Sequence, residues 1–127
     1  MIADDHGPSL SVFTDMLEPE FRVVGTAKNG KEALRVAGEL RPDVVVLDIE
    51  MPVMDGLSAA RQLRALDAAA RIVILTTYAD ADYVEAALNL GAAGYVLKSR
   101  AALDLSHAIR LAMLGQQFVS PGAVPTR

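Results

Sequence analysis

The sequence predicts an α/β domain built around a parallel β-sheet. Short runs of β-branched and other apolar residues alternate along the chain with segments whose apolar residues recur at helical spacing. Two of the runs, Val44–Leu47 and Ile72–Leu75, are apolar throughout, as is typical of strands buried on both faces of a parallel sheet. Because the strand-then-helix pattern occurs five times within 127 residues, we expect a single domain with right-handed crossovers.

Three further segments are predicted strands. Met1–Ala3 is predicted to be the end of a first strand, which is abnormally short for the centre of a parallel sheet and which we expect to limit stability. Phe21–Val24 and Tyr95–Leu97 are rich in β-branched and aromatic residues, so they are predicted to form the second and fifth strands.

Five segments with apolar residues at i, i+3, i+4 and i+7 predict the intervening helices. Pro8 suits the first turn of the first helix, and Asn29-Gly30, Arg41-Pro42 and Gly91 indicate boundaries. The residues predicted to face the core are Leu10, Phe13 and Leu17; Ala33, Val36, Ala37 and Leu40; Ala59, Leu63 and Leu66; Val84, Ala87, Leu88 and Gly91; and Leu105, Ala108, Ile109 and Ala112.

Composition and charge exclude several classes of protein. The 12 basic residues are scattered and the net charge is −4, so the domain lacks the basic patch expected of a nucleic-acid-binding surface. There is no cysteine, which excludes a disulfide framework and a thiolate metal site and fits a cytoplasmic protein. No apolar run approaches the roughly 20 residues of a membrane span, and the N-terminus is not that of a secretion signal.

Acidic residues follow two of the predicted strands. Asp4 and Asp5 come directly after the first strand, and Asp48 comes directly after the third. In a sheet of order 2-1-3-4-5 these strands are neighbours, and ligands bind at the carboxyl ends of the strands where the order reverses. Three converging carboxylates would repel one another, and a hard divalent cation such as Mg²⁺ is their natural partner. The alternative is that Asp4 and Asp5 cap the first helix and Asp48 only ends a strand.

A hydroxyl and an ammonium group complete the set of strand-end residues. Thr76 follows the fourth predicted strand and Lys98 follows the fifth. Together with a metal ion they would surround a phosphoryl group, and phosphoryl transfer needs little beyond positioning and charge neutralisation.

These motifs closely resemble the receiver domains of response regulators. The resemblance covers nearly the whole chain, and the Asp-Asp-His start and the Gly-Tyr-Val-Leu-Lys-Ser segment are most similar to the NarL/LuxR-like subfamily. It implies a flavodoxin-like (βα)5 doubly wound parallel sheet of strand order 2-1-3-4-5. The motifs that carry it are Asp4-Asp5, Val44-Val45-Val46-Leu47-Asp48-Ile49-Glu50-Met51-Pro52, Asp55-Gly56, Leu75-Thr76-Thr77 and Gly94-Tyr95-Val96-Leu97-Lys98.

The resemblance also implies a role for each site residue. Asp48 is expected to accept a phosphoryl group from a histidine kinase, Lys98 to pair with the phosphoryl oxygens, and Thr76 to hydrogen-bond the phosphoryl group. Tyr95 is expected to be the switch residue that turns inward as Thr76 moves, the alternative being an ordinary half-buried strand aromatic. The expected Mg²⁺ ligands are Asp5, Asp48 and the backbone carbonyl of Glu50, with Asp4 acting through water.

A regulatory domain of this kind is not a conventional enzyme, although it promotes its own phosphotransfer and dephosphorylation. Residues 1–117 are expected to form the receiver, with 118–127 a linker or tail toward an output domain outside this chain. Because members of the subfamily usually carry a helix-turn-helix output domain, we expect control of transcription and a phosphorylation-dependent homodimer. Ser99 stands where many receivers have a cis proline, so we expect a trans Lys98–Ser99 peptide, since a non-proline cis bond costs about 2.5–4 kcal/mol.

Three other functions compete with this interpretation. A flavin-nucleotide domain of the same topology would place hydroxyls and backbone N–H groups after the first strand, where Asp4 and Asp5 would repel a phosphate. An aspartate-nucleophile phosphatase would carry two aspartates one residue apart after its first strand, and this chain has Asp48-Ile49-Glu50 after its third. The last alternative, a receiver that is never phosphorylated, is disfavoured because all five site residues are present.

Overall fold

The computed structural model describes residues 1–123, which form one parallel six-stranded sheet of order β2-β1-β3-β4-β5-β6. The predicted order 2-1-3-4-5 is therefore confirmed. The strands are β1 (Ile2–Ala3), β2 (Thr26–Ala27), β3 (Val45–Leu47), β4 (Ile72–Thr76), β5 (Gly94–Leu97) and β6 (Phe118–Val119). The helices are α1 (Gly7–Leu17), α2 (Gly30–Leu40), α3 (Gly56–Leu66), α4 (Ala81–Asn89) and α5 (Ala101–Met113), with a 3₁₀ turn over Lys98–Arg100.

Two hydrophobic cores lie on opposite faces of the sheet. Helices α1 and α5 pack on one face, against Val46, Val73 and Leu75, while α2, α3 and α4 cover the other face, which presents Leu47 and Ile74. Alternate residues of each buried strand therefore serve opposite cores, as the fully apolar runs predicted.

Most of the predicted helix faces are buried, and the exceptions lie at helix ends. Leu40 and Leu66 are the last residues of α2 and α3 and are 48% and 81% exposed. Leu88 is half-buried. Gly91 lies beyond the end of α4 with a positive φ of 95°, so it belongs to the turn rather than to the helix face.

The second strand begins later in the chain than predicted. The sequence indicated Phe21–Val24, but Ile2 pairs with Thr26 and Ala3 with Ala27, so β2 is Thr26–Ala27. The pairing register with β1, rather than local β-propensity, therefore locates β2.

A sixth strand, which the sequence analysis did not include, extends the sheet. Phe118 and Val119 pair in parallel with Gly94 and Tyr95, so the first residues of the expected linker segment lie against β5. Residues 124–127 of that segment lie outside the described residues.

The Lys98–Ser99 peptide is trans, as predicted. None of the helices within residues 1–123 is long and apolar enough to cross a membrane.

The amino end of the sheet is incompletely filled. The predicted short first strand is confirmed at two residues, and a cleft of about 320 Å³ lies beside it, lined in part by Phe21, Val23 and Val44. The Met1 amino group is held inside the fold by the Val44 carbonyl at 2.9 Å, and burial lowers its pKa from 8.0 to about 6.

We expect an added segment of about three apolar residues before Met1 to raise the melting temperature by several degrees, because it would extend β1 and fill the cleft. It would also move the positive charge into solvent. With a free Met1 amine the unfolded chain binds more protons than the folded chain between pH 8.0 and about 6, so stability falls as the pH falls through that window. The extended chain should lose this dependence. A Gly-Ser extension of equal length is the control, and equal stabilisation by both extensions would contradict the packing argument.

Candidate functional site

The predicted carboxylates converge at the carboxyl edge of the sheet. The Asp48 N–H donates to the Ala3 carbonyl at 3.0 Å, so the end of β3 lies beside the end of β1. Asp4, Asp5 and Asp48 each offer a carboxylate oxygen, and these oxygens all lie within 4.8 Å of one another. Asp4 and Asp48 are buried, which strengthens their mutual repulsion because less water screens it.

Lys98 supplies a positive charge between two of the carboxylates. Its Nζ lies 2.7 Å from Asp4 Oδ2 and 3.1 Å from Asp48 Oδ2. Burial alone would lower the pKa of Lys98, but the hydrogen bonds and charges of the two carboxylates outweigh it and raise that pKa. Burial also raises the pKa of Asp48, and Lys98 reverses this effect only in part. The site therefore remains short of positive charge around Asp48.

Asp4 and Asp5 have different surroundings. Both oxygens of Asp4 are occupied, because Oδ1 accepts the His6 N–H at 2.9 Å and Oδ2 accepts Lys98. Asp5 is exposed, and no residue within 1–123 hydrogen-bonds its carboxylate. The free carboxylate of Asp5 is the better placed of the two to bind a cation directly. The neighbouring His6 has a structural role, since its Nδ1 accepts the Ser9 N–H at 3.2 Å and caps α1.

The loop after β3 folds closely around Asp48. The Glu50 N–H lies 3.4 Å from Asp48 Oδ1, and the Gly56 N–H donates to the Ile49 carbonyl at 2.8 Å. A Cβ atom at Gly56 would lie only 1.9 Å from the Asp48 carbonyl oxygen, so the start of α3 approaches the strand end as only glycine allows. Val53 forms the tip of the loop with a positive φ of 70°, a conformation that is rare for a β-branched residue.

Thr76 and Tyr95 are both fully buried. The Thr76 hydroxyl accepts the Tyr78 N–H at 3.2 Å, and the Tyr95 hydroxyl donates to the Tyr78 carbonyl at 2.6 Å. Tyr95 is therefore turned inward in this structure, where the sequence analysis expected a half-buried side chain or one that turns inward on phosphorylation. The Thr76–Tyr78 segment links the two side chains directly.

The Tyr78 side chain makes further contacts beside Glu50, whose backbone carbonyl is an expected Mg²⁺ ligand. The Tyr78 hydroxyl donates to the Glu50 carboxylate, and the Tyr78 ring stacks on Tyr83 with centroids 4.9 Å apart. Beyond the site, Asp104 and Ser120 are buried polar residues whose positions the sequence analysis did not single out. The available signal was helical spacing, because Asp104 shares the inward face of α5 with Ala101 and Ala108.

Known proteins resemble this chain in sequence. Residues 1–110 match the family model of the response regulator receiver domain. The chain is 41% identical over 122 residues to the uncharacterised transcriptional regulatory protein YvfU of Bacillus subtilis, covering 94% of this chain and 61% of the relative. The chain thus spans less than two thirds of the length of this curated relative.

Solved structures show the same fold. The chain superimposes with a TM-score of 0.93 and 34% identity on a LuxR-family two-component response regulator from Aurantimonas sp. SI85-9A1, covering 97% of this chain and 89% of that one. It superimposes with a TM-score of 0.88 and 27% identity on the isolated RcsB receiver domain of Salmonella enterica serovar Typhimurium in the presence of the phosphomimetic BeF3⁻, covering 96% and 92%. The resemblance to LuxR-like receivers inferred from the sequence is confirmed.

Gly56→Ala should destabilise the fold by about 3 kcal/mol or more, because its Cβ would overlap the Asp48 backbone and force the loop away from the site. Gly38→Ala is the matched control. It lies within α2, where an added Cβ would meet no neighbouring atom within 4 Å, so it should raise stability by about 0.5–1 kcal/mol. Urea unfolding of both variants measures the difference. Similar stabilities for the two would refute the close approach.

Proposed function

Because this chain belongs to the response regulator receiver family, we propose that Asp48 accepts a phosphoryl group from a histidine kinase and that this changes the domain's interactions. The single observation that carries the proposal is the position of Asp48. Its buried carboxylate lies at the end of β3 within reach of two other carboxylates and in hydrogen-bond contact with Lys98.

In the proposed reaction an Asp48 carboxylate oxygen forms a bond to phosphorus while the P–N bond of the kinase phosphohistidine breaks. The electron pair of that bond stays with the imidazole, which takes up a proton. Lys98, which contacts Asp48, would stabilise the negative charge on the phosphoryl oxygens, and the Thr76 hydroxyl would donate to one of them. Hydrolysis of the acyl phosphate by water would release inorganic phosphate and restore the Asp48 carboxylate. The domain would promote both its own phosphotransfer and this dephosphorylation.

The residues present fit a Mg²⁺ ion. Such a site needs oxygen ligands and an excess of negative charge, and the three carboxylates supply both. It also needs a ligand that the ion can reach, and the Asp5 carboxylate is exposed. Asp5, Asp48 and the Glu50 carbonyl would bind the ion directly, with Asp4 acting through water, which agrees with the engagement of both Asp4 oxygens by protein groups. When bound, Mg²⁺ would neutralise charge on the transferring phosphoryl group.

The output of the domain would lie outside these residues. We propose that residues 1–117 act as the receiver and that the segment from 118 leads toward an output domain. Because the basic residues of the receiver are scattered along its sequence, we expect the output domain rather than the receiver to contact DNA. A cytoplasmic location suits this role. The proposed response to phosphorylation is homodimer formation, since paired output domains read symmetric DNA sites.

Asp48→Asn is expected to abolish phosphoryl incorporation, because it keeps the shape of the side chain and removes the nucleophilic carboxylate. Phosphate-affinity electrophoresis after incubation with a small-molecule phosphodonor and Mg²⁺ measures incorporation. Asp43→Asn, an exposed position before the other end of β3, is the control and should behave as wild type. Undiminished incorporation in Asp48→Asn would disprove the assignment.

Asp5→Ala should weaken Mg²⁺ binding by roughly tenfold or more, since a direct ligand is lost and outer-shell changes alone cost about that much. Isothermal titration calorimetry with Mg²⁺ measures the affinity. Asp82→Ala removes another exposed carboxylate, in the first turn of α4, and should leave the affinity unchanged. Equal affinities in the two variants would rule out Asp5 as a ligand.

Thr76→Ala should uncouple phosphorylation from association, because the hydroxyl that would bind the phosphoryl group also accepts the Tyr78 N–H next to Tyr95. Analytical ultracentrifugation with and without a phosphoryl mimic measures association. Thr77→Ala is the matched control, since Thr77 is exposed and adjacent in sequence. The coupling idea fails if Thr76→Ala dimerises as wild type does.

A further inference from the structure

Two buried polar side chains lie next to the turn that carries Lys98 without belonging to the phosphoryl site. Asp104 in the first turn of α5 is 6% exposed, and Ser120, which directly follows β6, is 1% exposed. The Ser120 hydroxyl donates to Asp104 Oδ2 at 2.8 Å and accepts the Leu97 N–H at 3.1 Å. One hydroxyl therefore joins the end of β5, the start of α5 and the segment after β6.

The same network holds the other end of the Lys98–Arg100 turn. Arg100 Nε donates to Asp104 Oδ2 at 2.8 Å. Burial opposes ionisation of Asp104, but the hydrogen bonds from Arg100 and Ser120 outweigh it and lower the pKa of this carboxyl, so it is charged near neutral pH. The residue before Lys98 is thus tied to Ser120, and the last residue of the turn is tied to Asp104.

Strand β6 depends on the same stretch of β5. The Phe118 N–H donates to the Ala93 carbonyl at 3.0 Å, and the Ser120 N–H donates to the Tyr95 carbonyl at 2.9 Å. Ser120 is therefore bound through its backbone to Tyr95 and through its side chain to Leu97, on either side of Val96 and directly before Lys98. The described segment after α5 therefore contacts β5 from Gly94 to Leu97, the residue directly before Lys98.

We propose that Ser120 and Asp104 are positioning residues for Lys98, and that through them occupation of the Asp48 site is coupled to the pairing of β6 with β5. This inference rests on the proposed function. A phosphoryl group on Asp48 would compete with Asp4 for the Lys98 ammonium. Any movement of Lys98 toward that group would pull on the Lys98–Arg100 turn, which Ser120 and Asp104 hold in place. Coupling between sites is reciprocal, so loosening Ser120 should also weaken binding at Asp48.

The test uses beryllofluoride with Mg²⁺ as the probe and the full 127-residue chain. In wild type, the probe should slow hydrogen exchange of the Phe118 and Ser120 amides by about fivefold or more, at the lower end of ordinary site-to-site coupling. Ser120→Ala should abolish this ligand-dependent change and weaken beryllofluoride binding by a similar factor. Ser120→Thr, which keeps the hydroxyl, should restore both.

Ser106→Ala is the matched control, because this α5 hydroxyl has no hydrogen-bond partner within residues 1–123 and its removal should change neither quantity. If Ser120→Ala fails to fold by circular dichroism, Asp104→Asn replaces it and should reduce the same two effects. Binding of beryllofluoride to wild type without slower exchange at β6, or with unchanged affinity in the Ser120 and Asp104 variants, would overturn the inference alone. Failure of beryllofluoride to bind wild type at all would overturn the proposed function and the inference with it.

Discussion

The arrangement of the site depends on the hydrogen-bonded ion pairs that the Lys98 ammonium group makes with Asp4 and Asp48. The ammonium group bonds two carboxylates whose side chains are only 1% and 8% exposed, those of Asp4 and Asp48. Removing one partner from a buried ion pair typically costs about 3–5 kcal/mol, because the remaining charge is left without compensation. Since β4 lies between β3 and β5 in the sheet, Lys98 must reach across a strand, and the ends of β1, β3 and β5 have to be held in register for the contact to form.

The sheet maintains this register even though its first two strands have two residues each. The buried strands β3, β4 and β5 and the helices on both faces form most of the two cores. Strand β1 adds Ile2 to one core and Ala3 to the other, and it places Asp4 and Asp5 at the site. The two ends of the sheet differ accordingly. The carboxyl end is closed by charge pairs and by the approach of Gly56 to Asp48, whereas the amino end contains an apolar cleft and a buried amino group.

The sequence predicted the features that depend on local pattern. Fully apolar runs located β3 and β4, helical spacing located the core faces, and the strand-end rule brought Asp4, Asp5 and Asp48 together. It misplaced β2 because β-propensity in Phe21–Val24 says nothing about whether a neighbouring strand offers partners. It did not include β6, whose two residues are indistinguishable from a linker until they pair with β5. The inward position of Tyr95 and the Asp104–Ser120 contact depend on side-chain packing between distant segments, which periodicity does not encode.

We propose that this carboxylate cluster, together with Lys98 and a divalent cation, accepts a phosphoryl group on Asp48. The most direct measurement is intact-protein mass spectrometry after incubation with a small-molecule phosphodonor, carried out in Mg²⁺ and in a chelator. We expect the mass of one added phosphoryl group per chain in Mg²⁺ and little or none in the chelator. An unchanged mass in Mg²⁺, or equal incorporation in both conditions, would contradict the account.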